Sequence, residues 1–168
     1  METKFTKKVS YEYMKDKILE KSKELVLKYG LNFKVDDIAK ELKISKKTIY
    51  QYYKDKYELA HDLFISVYEL AIFKMENSKN LESLLFVYRR VLIFSDNSIY
   101  NKNSLNDSVI KISIDYKAKC EEIFLKKVNE ISKKEIDETL LKVINKSLYS
   151  IDKEEVKRFS EIVERALE

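Results

Sequence analysis

Apolar residues recur three and four positions apart along most of the chain, the spacing of helices with one face turned inward. From Ser10 to Tyr29, Met14, Ile18, Leu25, Val26 and Tyr29 form such a stripe opposite Lys15, Lys17, Lys21 and Lys23. Gly30 follows as an expected helix C-cap, and Leu31 and Phe33 are expected to drop into a small core. Ile38, Ala39 and Leu42 mark a short second helix, with Ala39 small enough for another helix to cross close above it. Lys43, Ile44 and Ser45 interrupt the pattern, and Ile49, Tyr52 and Tyr53 resume it in a helix from Lys46 to about Tyr53. Asp55 is placed to cap a long fourth helix to about Met75, carrying Leu59, Leu63, Phe64, Val67, Tyr68, Ala71 and Ile72. A fifth helix is predicted over Leu81–Phe94, followed by a polar loop, SDNSIYNKNSLN, over Ser95–Asn106, with room for one helical turn around Tyr100. The periodicity restarts at Asp107 or Ser108 and runs to about Ser132, with a kink possible near Ser113. Ile136–Leu148 and a last helix capped by Asp152 complete an all-α reading.

The segment VDDIAKELKISKKTIYQYYKDK, residues 35–56, organises the rest. Ile44 and Ile49 can meet Ile38 and Leu42 in one small core, and Ser45 can cap the second of the two helices through its hydroxyl. Two helices joined by a turn of three or four residues form the geometry that lays the second helix in the DNA major groove. Lys46 and Lys47 then stand at its N-terminal end, with Thr48, Tyr50 and Gln51 on the outward side. Lysine can donate to guanine O6 and N7, and glutamine can pair with adenine. Lys54 and Lys56 follow within reach of a phosphate.

Charge sharpens this picture. Residues 1–56 hold 15 lysines against 9 carboxylates, whereas residues 57–168 hold 18 lysines and arginines against 20 carboxylates. The positive excess therefore lies around the proposed reader, as nucleic-acid binding requires. All four arginines fall after residue 88, so the reader has only lysine, which meets phosphate as a point charge. Residues 1–9, with Lys4, Lys7 and Lys8, are either an arm that adds electrostatic attraction or a passive tail. Proline is absent and glycine occurs once, which suits helices with short joints. No apolar run approaches the ~20 residues of a membrane span, and the N-terminus lacks a signal-peptide core, so a cytoplasmic protein is expected.

The words DDIAKEL, ISKKTIYQYY and KDKYEL, in that order and spacing, resemble the DNA-binding domain of the TetR family of bacterial transcription regulators. The likeness spans about Tyr13 to Leu63. It implies a homodimer with an N-terminal three-helix DNA-binding domain, here residues 10–56. It also implies a larger helical ligand-binding and dimerisation domain, here residues 57–168. Carried over by position, Lys46, Lys47, Tyr50 and Gln51 would face bases or thymine methyls. Thr48, Tyr52 and Lys56 would hold phosphates. Lys34 stands where the family often has threonine or serine at the start of the second helix, offering a charge but no N-cap; Asn32 could cap instead. The DNA-contacting set is thus Lys34, Ser45, Lys46, Lys47, Thr48, Tyr50, Gln51, Tyr52 and Lys56. Lys43 occupies a turn position where the family usually has glycine; a positive φ there would cost on the order of 1 kcal/mol.

Catalytic chemistry finds few parts. The sequence has one histidine, one cysteine and one glycine, and no metal-ligand cluster or glycine-rich phosphate loop, so neither an enzyme nor a cofactor or metal site is expected. Cys120 reads as buried filler and His61 as a packed residue at the domain junction. Tyr88, Tyr116 and Tyr149 carry hydroxyls that could orient a ligand. Arg89 and Arg90 sit in an apolar helix, where a buried guanidinium needs a partner: an acidic residue on a neighbouring helix or an anionic ligand. The resemblance implies a repressor released from a pseudo-palindromic operator by a small-molecule effector. Control by a protein partner, or a helical adaptor that does not bind DNA, are the alternatives.

Overall fold

The computed structural model describes residues 4–29, 34–100, 105–132, 134 and 136–167, and among them it has eight α-helices and no strand. These are α1 (Lys4–Tyr29), α2 (Val35–Leu42), α3 (Lys46–Ile49), α4 (Lys56–Glu76), α5 (Leu81–Tyr100), α6 (Asp107–Ser132), α7 (Glu138–Ser150) and α8 (Glu155–Ala166). The all-α expectation holds. Gly30, Leu31, Asn32, Phe33, Lys133 and residues 101–104 of the expected loop lie outside the described residues, as do residues 1–3 of the expected arm.

Short polar side chains start the helices, each accepting from an N–H that has no partner within its own helix. Asn80 accepts from Ser83 N (2.9 Å) at α5, Asn106 from Val109 N (3.1 Å) at α6, and Asp137 from Leu140 N (2.7 Å) at α7. At α8, Asp152 accepts from Glu155 N and Glu155 accepts from Asp152 N, both at 2.9 Å, a reciprocal capping box.

Two apolar cores share α4. Ile18, Leu25, Ile38, Ala39, Ile49 and Tyr53 form the smaller one, and α4 adds Leu59 to it. Further along α4, Phe64, Tyr68, Ile72 and Met75 belong to the larger core with residues of α5, α6, α7 and α8. In this larger body α4, α5 and α6 pack on one another, while α7 and α8 each lie against α5. Lys15 of α1 pairs with Asp62 of α4 at 3.2 Å, which ties the smaller core to the shared helix.

Three boundaries differ from the sequence expectation. Helix α1 begins at Lys4, so residues 4–9 are helical and not a disordered arm. Helix α3 ends at Ile49, and the residues up to Asp55 turn and bend instead of continuing as helix. Helix α5 continues to Tyr100, through the first half of the stretch predicted as a loop. There the polar side chains find tertiary partners: buried Ser95 hydrogen-bonds the Tyr68 hydroxyl at 2.8 Å, and Asp96 accepts from Lys117 Nζ at 2.8 Å. Ser95 and Asp96 are thus polar residues satisfied by tertiary partners. Helix α6 runs uninterrupted through buried Ser113.

Candidate nucleic-acid interface

The turn between α2 and α3 is built on an unusual residue. Lys43 has φ 54° and ψ 40°, the left-handed region, and is the one non-glycine with positive φ among the described residues. Its N–H donates to Lys40 O (3.2 Å), and Ile44 N donates to Ala39 O (3.0 Å). This pair of bonds is a Schellman motif, in which the left-handed position normally falls to glycine. It turns the chain sharply and drops Ile44 against the small core.

Ser45 then caps α3. Its Oγ accepts from Thr48 N at 3.0 Å and lies 2.8 Å from Thr48 Oγ1. The two hydroxyls that could meet a phosphate are thus first engaged with each other. Ile49 is fully buried and fixes the roll of α3, which leaves Lys46, Lys47, Tyr50 and Gln51 exposed on the other side. Lys46 Nζ bonds Asp36 Oδ2 of α2 at 3.0 Å, and this bond raises the pKa of its ammonium. Contact between Lys46 and DNA means exchanging Asp36 for a base edge or phosphate. An exposed pair of this kind is held weakly and is easily surrendered.

At the start of α2, Lys34 has no side-chain acceptor to offer, and Asp37 replaces it by accepting from Lys34 N at 2.7 Å. An acid three residues past the N-cap position was the legible signal for this cap. Lys34 itself stays exposed at the helix N-terminus. At α4, Asp55 accepts from Tyr57 N (2.8 Å) and Glu58 N (2.9 Å), while Glu58 accepts from Lys54 N (2.6 Å). Those two backbone donors hold the Asp55 carboxyl below its ordinary range. Lys56 is the exposed first residue of this helix, with its ammonium 4.8 Å from the centre of the Tyr57 ring.

Helix α1 braces the far end of the reader, through residues that periodicity did not single out for this role. The Tyr11 ring packs on Tyr52 with centroids 4.9 Å apart, and its hydroxyl donates to Tyr52 O at 3.3 Å. Tyr53 is buried, its hydroxyl pushed up in pKa by burial, and the Lys15 ammonium lies 4.9 Å from the centre of its ring. Tyr52 is therefore packed on one side by α1 and half-buried. The other eight expected contact residues stand around α3 or at the starts of α2 and α4.

Each of the four candidate ligand residues has a partner within the protein. Tyr88 is fully buried, stacked on Phe124 at 4.0 Å, and donates to Glu121 at 3.2 Å; burial pushes its pKa up. Tyr116 stacks on Tyr68 at 5.2 Å, and the Tyr149 hydroxyl accepts from Lys117 Nζ at 3.4 Å. Arg89 meets a backbone carbonyl in place of an acidic side chain. It donates through Nε and Nη2 to the carbonyl of Ile151, at 2.9 and 2.6 Å. Ile151 ends α7, where the helix dipole presents partial negative charge, so a guanidinium is satisfied there without a carboxylate. His61 lies 3.3 Å from Asp62, and among the described residues no group of side chains could hold a metal ion. Cys120 is buried, its thiol pushed up to about 12 by burial. No described helix is long and apolar enough to cross a membrane.

Residues 18–63 match the family model described as bacterial regulatory proteins, tetR family. The match takes in the second half of α1, all of α2 and α3, and the first two turns of α4, which together enclose the small core. Searches of curated proteins and of solved structures gave no match. Through residues 18–63 the chain thus carries a helix-turn-helix domain of the type that bacterial regulatory proteins of the tetR family use to bind DNA.

Proposed function

We propose that the protein is a two-fold symmetric repressor that grips a pseudo-palindromic operator and is released from it by a small-molecule effector. The observation that carries the reading is α3: it is rolled by buried Ile49 so that Lys46, Lys47, Tyr50 and Gln51 project outward from a braced core. Lys46, Lys47, Tyr50 and Gln51 are the base-reading set, and Lys34, Ser45, Thr48, Tyr52 and Lys56 the phosphate-holding set. Ser45 and Thr48 serve through groups left over from their mutual cap.

Residues 10–56 act as the reading domain and residues 57–168 as the regulatory and dimerising one. Helix α4 links them, because its first turns belong to the small core and its remainder to the large one. A displacement of the large body therefore reaches the reader through one rigid rod. The dimer contact falls on α7 and α8, where Val143 and Ile162 are 53% and 55% exposed. Large apolar side chains at that exposure suit a self-complementary two-fold contact.

Selection of fragments from the source genome by the purified protein tests this reading. The expected product is a small set of sites with two inverted half-sites, centred one helical turn or a multiple of it apart. Their affinity should fall steeply with salt as lysines replace phosphate counterions. Recovery of fragments with no shared inverted repeat would overturn the operator assignment.

A further inference from the structure

A groove of about 640 Å³ runs along α4 and α5, closed at its edges by Lys23 and Val26 of α1 and by Lys153 and Val156 at the start of α8. Its size lies within the range of small-molecule sites, about 300–1,000 Å³. Val67, Ala71, Val87 and Phe94 give it an apolar floor. Its charge is one-sided: Lys23, Lys74, Arg89, Arg90 and Lys153 line it, and Glu82 is the one carboxylate among its described lining residues. Arg89 is held on Ile151 O, and Lys153 pairs with exposed Glu154 at 3.3 Å. Neither bond cancels the excess, because a carbonyl carries no net charge and the Glu154 pair is open to water. Lys23, Lys74 and Arg90 form no ion pair among the described residues.

We propose that this groove binds an anionic amphiphile, with an aliphatic tail on the floor and an acid head among the cations. Charge selects this occupant. A neutral or cationic apolar molecule would leave five cations crowded around its tail. A second copy of the chain, docked across a two-fold axis, would set like charges against like. An acid head instead accepts charge-assisted hydrogen bonds from a guanidinium or ammonium, while the tail leaves water for an apolar surface. The groove touches α1, α4, α5 and α8 together. Its occupant thus contacts both the helix that braces the reader and the helices of the large core. The inference deepens the effector response proposed above, and rests on that reading only for the effect on DNA.

Isothermal titration of the full chain with dodecanoate, dodecyl phosphate, dodecanol and dodecyltrimethylammonium, each below its micelle concentration, tests the site. One saturable site for dodecanoate or dodecyl phosphate is expected, at least tenfold tighter than for dodecanol, with the cation weakest. The comparison of the first two separates a carboxylate from a phosphate head. Lys74→Glu with Arg90→Glu, both exposed, should weaken the anion at least tenfold with the melting temperature unchanged. Val87→Trp, which fills the floor, should abolish binding of every chain. Equal binding of anion and cation, or an affinity untouched by the charge reversals, would overturn the site. So would dissociation of a dimer by Val87→Trp, because the groove would then be an interface. Fragment retention measured in parallel keeps the readings apart. Binding of dodecanoate without release of DNA supports the site and overturns the effector reading; no binding with DNA still held overturns the site alone.

Discussion

Lys43 shows what a single residue does for this fold. Its left-handed backbone is what the helix-turn-helix corner needs, and its Cβ crowds the following carbonyl there. Lys43→Gly removes the crowding but frees the unfolded chain, so a net gain of about 0.5–1 kcal/mol is expected in urea denaturation. A loss of stability would mean that the lysine side chain makes a compensating contact. The corner was legible in the sequence, since the break in periodicity and Ser45 both marked it. The left-handed conformation of Lys43 was legible only through the family resemblance, because the fold forces it against the residue's own preference. Asp36 escaped notice for a different reason. Its bond to Lys46 joins residues ten apart on different helices, and no local pattern reports such a pair.

At the scale of elements, helix starts were easier to read than helix ends. Ser45, Asp55 and Asp152 all accept backbone N–H groups at the helix starts expected of them. Ends depend on tertiary partners, as α5 shows. Its run to Tyr100 rests on Ser95 meeting Tyr68 and Asp96 meeting Lys117, contacts invisible to a linear pattern. The cap of α4 yields a prediction with a definite sign. The folded Asp55 carboxyl sits below its unfolded range, so its contribution is complete above about pH 4 and is lost as pH falls further. Asp55→Asn retains a capping oxygen without the titrating charge. Wild type should therefore melt above the variant at pH 7, and the two melting temperatures should converge toward pH 3. A constant gap over that range would show that the charge plays no part.

The whole molecule poses the question of how one reader becomes two. The exposed ridge of α7 and α8 is the proposed joint, and Ile162→Glu should bury a charge in each half of it. Sedimentation should show a dimer for wild type and a monomer for the variant, with unchanged helical content. A variant that remains a dimer would move the joint elsewhere. The large body was legible as helical but not in its partnerships: Tyr88 stacks on Phe124, Tyr116 stacks on Tyr68, and Tyr149 meets Lys117 at the surface. Periodicity reports which face is buried and is silent on which helices share it. The central claim is that α3 meets DNA, and the dissociation constant for one genome-derived fragment, at fixed salt, tests it most directly. Lys46→Ala and Tyr50→Ala should each weaken binding about tenfold or more without lowering the melting temperature, whereas affinities equal to wild type in both would contradict it.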